Sequence, residues 1–112
     1  MKHAPDSREA AYYAAGYWTG KDLWTSFAEC AARNAQRVAF VADGKSLRFD
    51  ELLHSAARIG SGLRAQGVLP GDVVVIHART GIESVQAMLA CAHAGAVMTP
   101  VPPMFSVAQL TA

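Results

Sequence analysis

Apolar residues recur every three or four positions in three long stretches of the chain, which is the period of an amphipathic helix. The first stretch follows Asp22, an expected N-cap. The second follows Asp50, also an expected N-cap, and Gly67 lies where a left-handed C-terminal cap belongs. The third covers 82–94 and stops at Gly95. The pattern therefore predicts three amphipathic helices.

Apolar and small residues define the helix faces that we expect to be buried. Because residues three and four apart share one side of a helix, they assign a core face to each of the two later helices. The predicted core positions are Leu52, Leu53, Ala56, Ile59, Gly60 and Leu63 on the second helix, and Ile82, Val85, Leu89 and Ala92 or His93 on the third.

Short apolar runs between these helices predict four strands. Residues 38–42 and 45–49 flank Asp43-Gly44, a pair suited to the positive φ angles of a tight hairpin turn. The uninterrupted run Val73-Val74-Val75-Ile76 is typical of a parallel strand buried on both faces. Residues 96–101 form another strand, so the helix between them completes a βαβ unit. The predicted fold class is α/β, a β-hairpin plus a βαβ unit with helices packed on a partly parallel sheet.

Turn residues mark the connections. Pro70-Gly71-Asp72 suits a type II turn that leads into the first parallel strand, with Gly71 at the position that needs positive φ. Pro102-Pro103 terminates the second parallel strand. Ser106 is the expected cap of a further helix, and the chain ends at Ala112 after barely one turn of it. We therefore expect the chain to stop within an element of a larger domain.

The N-terminal segment is predicted to form a short helix and an aromatic loop outside the α/β elements. Residues 7–15 predict a short helix that Gly16 ends, and Tyr17 and Trp18 in the following loop are expected to anchor it to the body of the protein. We divide the chain into an N-terminal helix and loop at 1–21 and an α/β subdomain at 22–112.

Composition limits the class of protein. The 112 residues are 52% hydrophobic and 17% charged, which favours a packed core over a disordered chain. The formal charge is +1 with scattered basic residues, which argues against nucleic-acid or anionic-membrane binding. No apolar run approaches the ~18 residues of a membrane span, and no signal peptide is recognisable at the N-terminus. We expect a cytoplasmic protein without a membrane span.

The cysteines and histidines form no local catalytic or metal motif. Cys30 and Cys91 are far apart and lack metal-ligand spacing, so we expect two reduced, buried thiols. Of the four histidines (His3, His54, His77 and His93), His77 follows a predicted parallel strand, at the edge where open α/β sheets bind ligands. His93, in the last turn of its helix, fits a favourable interaction with the helix dipole when charged.

Two glycine motifs resemble parts of known phosphate-binding sequences. Gly44-Lys45-Ser46 resembles the end of a P-loop, but that motif requires glycine where this chain has Ala39, and it begins a helix rather than a hairpin. Gly60-Ser61-Gly62 lies within a helix and lacks a preceding strand, so close helix packing explains it better than dinucleotide binding. Neither motif predicts a nucleotide site.

Three longer motifs resemble the N-terminal region of the AMP-forming acyl-CoA synthetases, a family of adenylate-forming ligases. They are Leu47-Arg48-Phe49-Asp50-Glu51-Leu52, Gly67-Val68-Leu69-Pro70-Gly71-Asp72-Val73-Val74, and Ala90-Cys91-Ala92-His93-Ala94-Gly95-Ala96-Val97, followed by Pro100-Val101-Pro102. The opening Tyr13 and Gly16-Tyr17-Trp18 is similar to that of aryl-acid AMP ligases and cyclohexanecarboxylate-CoA ligase-like enzymes. The resemblance covers nearly the whole chain and implies the start of the large N-terminal domain.

The resemblance also implies a two-step reaction. ATP, accompanied by magnesium, converts a carboxylic acid to an acyl-adenylate and pyrophosphate, and coenzyme A then takes the acyl group. The phosphate loop, the adenine- and ribose-binding motifs and the catalytic lysine of this family have no match among the 112 residues. We therefore assign no catalytic, cofactor-binding or metal residue, leave the substrate-binding residues unknown, and expect the isolated chain to be inactive and to bind no cofactor.

Two alternatives remain open at this stage. The acceptor thiol belongs to a carrier protein rather than to coenzyme A in aryl-acid AMP ligases, and a non-enzymatic α/β binding module would carry the same elements. If the rest of a large domain is missing, part of the sheet is uncovered and the isolated chain is expected to self-associate. The expected interface involves residues 97–101 or the tail at 105–110.

Overall fold

The computed structural model of the chain describes residues 7–17 and 19–111. Five helices and four strands occur in this part of the chain. Their bounds are α1 Ser7–Ala14, α2 Leu23–Arg33, β1 Val38–Ala42, β2 Lys45–Arg48, α3 Phe49–Ala65, β3 Val73–His77, α4 Ile82–Ala94, β4 Val97–Val101 and α5 Val107–Thr111. The α/β class and the order of elements are confirmed, with boundaries within a few residues of those expected.

The strands form two separate two-stranded sheets. β1 and β2 pair antiparallel as the predicted hairpin, and its turn residues Asp43 and Gly44 have φ of 51° and 74°. These left-handed angles allow a two-residue loop to follow the twist of its strands. β3 and β4, which precede and follow α4 along the chain, pair in parallel. Their register runs from Val73 beside Val97 to His77 beside Val101. The βαβ unit is therefore confirmed.

Side-chain caps begin two of the helices as predicted. The Asp22 carboxylate accepts a hydrogen bond of 2.7 Å from the Thr25 backbone N–H at the start of α2. Ser106 and Gln109 form a reciprocal pair at α5, in which each side-chain oxygen accepts from the other residue's backbone N–H. Both segments thus satisfy donors that a helix start leaves without an intrahelical partner.

The cap assigned to Asp50 is wrong, because α3 begins at Phe49 and Arg48 is its N-cap. The N–H groups of Phe49 and Asp50 donate to the carbonyls of Arg37 and Ala35, in the connection that precedes the hairpin. Contacts distant in sequence therefore satisfy these two donors, whereas the Glu51 N–H donates locally to the Asp50 carboxylate at 2.8 Å.

Glycines end α3 and α4 and form the turn between α3 and β3. Gly67 and Gly95 have φ of 99° and 75°, which confirms both predicted stops. Gly71 has φ of 89°, and the Asp72 N–H donates to the Leu69 carbonyl at 3.0 Å, as the predicted turn requires. The Gly71 N–H also donates to the Gly95 carbonyl at 2.9 Å. A hydrogen bond therefore joins the turn before β3 to the turn before β4.

The core lies mainly between α3 and α4 and is built from small side chains. Its buried residues are Ala31, Leu52, Ala56, Ile76, Ala90, Cys91 and Ala94. Leu52, Ala56 and Gly60 confirm the predicted face of α3, whereas Ile59 is 40% exposed and was wrongly included. On α4 the most deeply buried residues were not among those predicted, because the helix contacts α3 and the sheet on different sides.

Within the described part of the chain β3 is not buried on both faces, and part of the sheet is uncovered, as expected if the rest of a large domain is missing. Its residues alternate, with Val73 and Val75 exposed by 65% and 53% and Ile76 buried. α4 contacts both strands of this sheet. Within the described part of the chain the other face of the sheet is left open.

Two smaller expectations also require correction. Tyr17 is 77% exposed and its ring lies 6.5 Å from that of Tyr12 on α1, so it does not anchor the loop in the core, and Trp18 lies outside the described residues. Both cysteines are free, but only Cys91 is buried, whereas Cys30 is half-buried beside Asn34.

Candidate functional site

An open groove of about 490 Å³ lies at the carboxyl ends of β3 and β4. α4 forms one wall and Phe40 of β1 closes another side. The lining residues are Phe40, Ile76, Ala78, Thr80, Ser84, Val85, Met88, Pro100, Val101, Pro102 and Pro103. This edge of a parallel sheet is where open α/β folds commonly bind ligands, so the groove is the candidate site in the described part of the chain.

The chemistry of the groove is apolar. Thr80 and Ser84 supply the hydroxyl groups among its lining residues, which include no charged side chain. The Ser84 hydroxyl donates to the Gly81 carbonyl at 2.8 Å and accepts from the Gly81 N–H at 2.9 Å, so it serves the start of α4. The groove can contact a hydrocarbon or aromatic group. Its lining side chains supply no cation for the phosphates of a nucleoside triphosphate.

A second, smaller cleft of about 70 Å³ surrounds the hairpin turn. Lys45 lines this cleft together with Asp43 and Glu83, so the lining contains two carboxylates and one ammonium group. Lys45 belongs to β2 rather than to the start of a helix. The hairpin location that argued against a P-loop is therefore confirmed.

His77 lies at the end of β3, beside the groove but outside its lining. The ring is exposed, and Nε2 lies 3.4 Å from the Pro103 carbonyl oxygen, a contact that connects β3 to the segment after β4. His54 is exposed on α3. The structure does not bring these two histidines together with a serine or carboxylate in a catalytic arrangement, and His3 lies outside the described residues.

His93 is packed rather than presented to solvent. Its ring meets the Trp24 ring edge to face, with centroids 4.8 Å apart, and its buried Nδ1 has no hydrogen-bond partner. The ring therefore packs α4 against α2, and its interaction with the helix dipole stays a prediction.

The groups with shifted pKa values lie away from the groove lining. Hydrogen bonding to the Thr25 backbone lowers the pKa of Asp22, and the hydrogen bond from the Arg48 guanidinium, at 3.0 Å, lowers the pKa of Asp50. Burial raises the pKa of the Cys91 thiol. No set of three His, Cys, Asp or Glu side chains suited to a metal ion occurs among residues 7–17 and 19–111.

Sequence reasoning did not identify the groove. Its lining comes from β1, β3, α4, β4 and the connections after β3 and β4, which are distant in sequence and carry mostly apolar residues. The available signals were the position of His77 at the carboxyl end of a strand and the prolines after β4. Both indicated the correct edge of the sheet, but neither indicated that Phe40 would close the groove.

A family model described as "AMP-binding enzyme" matches residues 27–112. The match includes every strand and the groove. The chain belongs to the AMP-binding enzyme family. Membership confirms the resemblance to adenylate-forming ligases.

Similar curated proteins include ligases with two kinds of acceptor. The salicyl-AMP ligase / salicyl-S-ArCP synthetase of Mycobacterium tuberculosis is 33% identical over 95% of this chain and 20% of its own length. The 2-hydroxy-7-methoxy-5-methyl-1-naphthoate–CoA ligase of Streptomyces carzinostaticus is 33% identical over 83% of this chain and 17% of its own. Pyochelin synthase PchD of Pseudomonas aeruginosa is 34% identical over 75% of this chain and 15% of its own. The chain thus spans a fifth or less of these relatives.

Solved structures show the same fold. The NpsA N-terminal subdomain from Klebsiella oxytoca superposes with a TM-score of 0.76 at 27% identity, over 81% of this chain and 24% of that one. The same subdomain has also been solved in complex with anthranilyl-AMSN. The mixed α/β arrangement therefore corresponds to part of the N-terminal subdomain of an adenylate-forming enzyme. Among the described residues, no helix is long and apolar enough to cross a membrane.

Proposed function

We propose that this chain forms part of an acid–thiol ligase that activates a carboxylic acid with ATP. A carboxylate oxygen attacks the α-phosphorus of ATP, pyrophosphate leaves, and an acyl-adenylate results. The thiol of coenzyme A then attacks the acyl carbon and releases AMP. The observation that carries this proposal is the family match over residues 27–112.

A carrier-protein thiol is the second candidate acceptor, and one observation favours it. The alignment with the salicyl-AMP ligase of Mycobacterium tuberculosis leaves out only 5% of this chain, so it includes the opening Gly16-Tyr17-Trp18 segment. An aromatic acid is the substrate class that fits this relative and the naphthoate ligase together. Activation of an aryl acid is common to both candidates, and they differ in the second step.

The role proposed for this chain is to provide a scaffold. Its groove offers apolar contact to an aromatic or aliphatic group and no charged donor to a phosphate. ATP and its magnesium ion therefore require residues other than those that line the groove. We assign no step of the reaction to a side chain described here.

A chimeric enzyme tests the scaffold role. The matching segment of the Mycobacterium tuberculosis salicyl-AMP ligase is replaced by this chain, and salicylate-dependent ATP–pyrophosphate exchange is measured. We expect exchange well above that of a chimera in which the buried Leu52 is replaced by Asp. A chimera that folds, by circular dichroism and melting, yet shows no exchange would contradict the proposal.

The acceptor is tested on the polypeptide that carries this segment. Aryl and aliphatic acids are supplied with ATP, magnesium and either coenzyme A or a phosphopantetheinylated carrier protein, and mass spectrometry identifies the thioester. Acyl-coenzyme A supports the first candidate, and an acylated carrier protein supports the second. If no acid gives exchange or thioester, the binding-module alternative replaces both.

A further inference from the structure

We draw no further inference here: the strongest candidate, the open apolar groove at the carboxyl ends of β3 and β4, carries none, because the chain spans a quarter or less of its relatives and nothing in the structure shows what covers the groove.

Discussion

Gly60 on α3 lies directly against the imidazole of His93 on α4. A Cβ atom at position 60 would lie 2.9 Å from the Ala90 carbonyl oxygen and 2.9 Å from the His93 Cβ, with Nδ1 of the ring nearer still. The same ring also contacts Trp24 on α2. The absence of a side chain at Gly60 therefore allows three helices to meet.

Gly60→Ala should destabilise the fold. Alanine is favoured over glycine within a helix by about 1 kcal/mol, but the methyl group must displace backbone and ring atoms of α4, and overpacking costs roughly 1–3 kcal/mol. Gly62→Ala is the matched control, because a Cβ at position 62 meets nothing within 4 Å, and it should stabilise α3. Thermal or urea unfolding of both variants measures the difference. Equal effects of the two substitutions would refute the close contact.

Gly71→Val should cost about 1–2 kcal/mol, because a β-branched residue adopts the positive φ of this turn poorly. A Cβ at position 71 meets nothing within 4 Å, so the cost arises in the backbone alone. Gly71→Asn, which tolerates left-handed angles better, should lose less stability. An unchanged melting temperature for the valine variant would show that the turn can adopt another type.

The two thiols should differ in reactivity toward a thiol reagent such as dithiobis(nitrobenzoate). Cys30 is half-buried, whereas Cys91 is 1% exposed and burial raises the pKa of its thiol. Because the thiolate is the reactive form, Cys91 should react only when the fold opens, and Cys30 should react first. Cys30→Ser isolates the slow reaction, whose rate should approach that of an ordinary thiol in denaturant. Rapid modification of Cys91 in the folded chain would contradict its burial.

The stability contributed by Asp22 should depend on pH. Its pKa is lowered from an ordinary value of 3.8 by the Thr25 backbone hydrogen bond, so its stabilising effect is complete above that value. The effect is lost as pH falls through the lower pKa of the folded state. Asp22→Ala should therefore lower the melting temperature at neutral pH, with a gap that narrows in acid. Asp22→Asn, which keeps an acceptor without a charge, should remove most of this pH dependence.

The isolated chain should not catalyse carboxylate-dependent ATP–pyrophosphate exchange. Its groove carries no charged side chain, and its sequence contains no recognisable nucleotide-binding motif. The measurement is incorporation of labelled pyrophosphate into ATP, with heat-treated protein as the control. Exchange above that control would show that these 112 residues contain a complete nucleotide site.

Local signals predicted most of the elements correctly. The Asp43-Gly44 turn, the Asp22 cap and the glycine stops after α3 and α4 each depend on residues close together in sequence, and all are present in the structure. Asp50 was assigned wrongly because its N–H pairs with Ala35, a partner that periodicity cannot indicate.

Burial was harder to predict than secondary structure, for a physical reason. The run of β-branched residues in β3 reports that the strand is apolar, but it does not report how many layers cover it. The groove was missed for a similar reason, since Phe40 reaches it from a hairpin that lies far from α4 in sequence. Whether a surface is buried depends on which elements lie against it, and that information is not local.

The hydrogen bond between the turns at Gly71 and Gly95 restricts the length of the connection between α3 and β3. The Val97 N–H donates to the Asp72 carbonyl at 2.7 Å, immediately before the first paired residues of β3 and β4. These bonds align the two strands at their starting points. One extra residue between Gly67 and Asp72 would shift β3 by one position, and since successive side chains point to opposite faces, Val73 would exchange faces with Val74. This connection therefore acts as a spacer of fixed length.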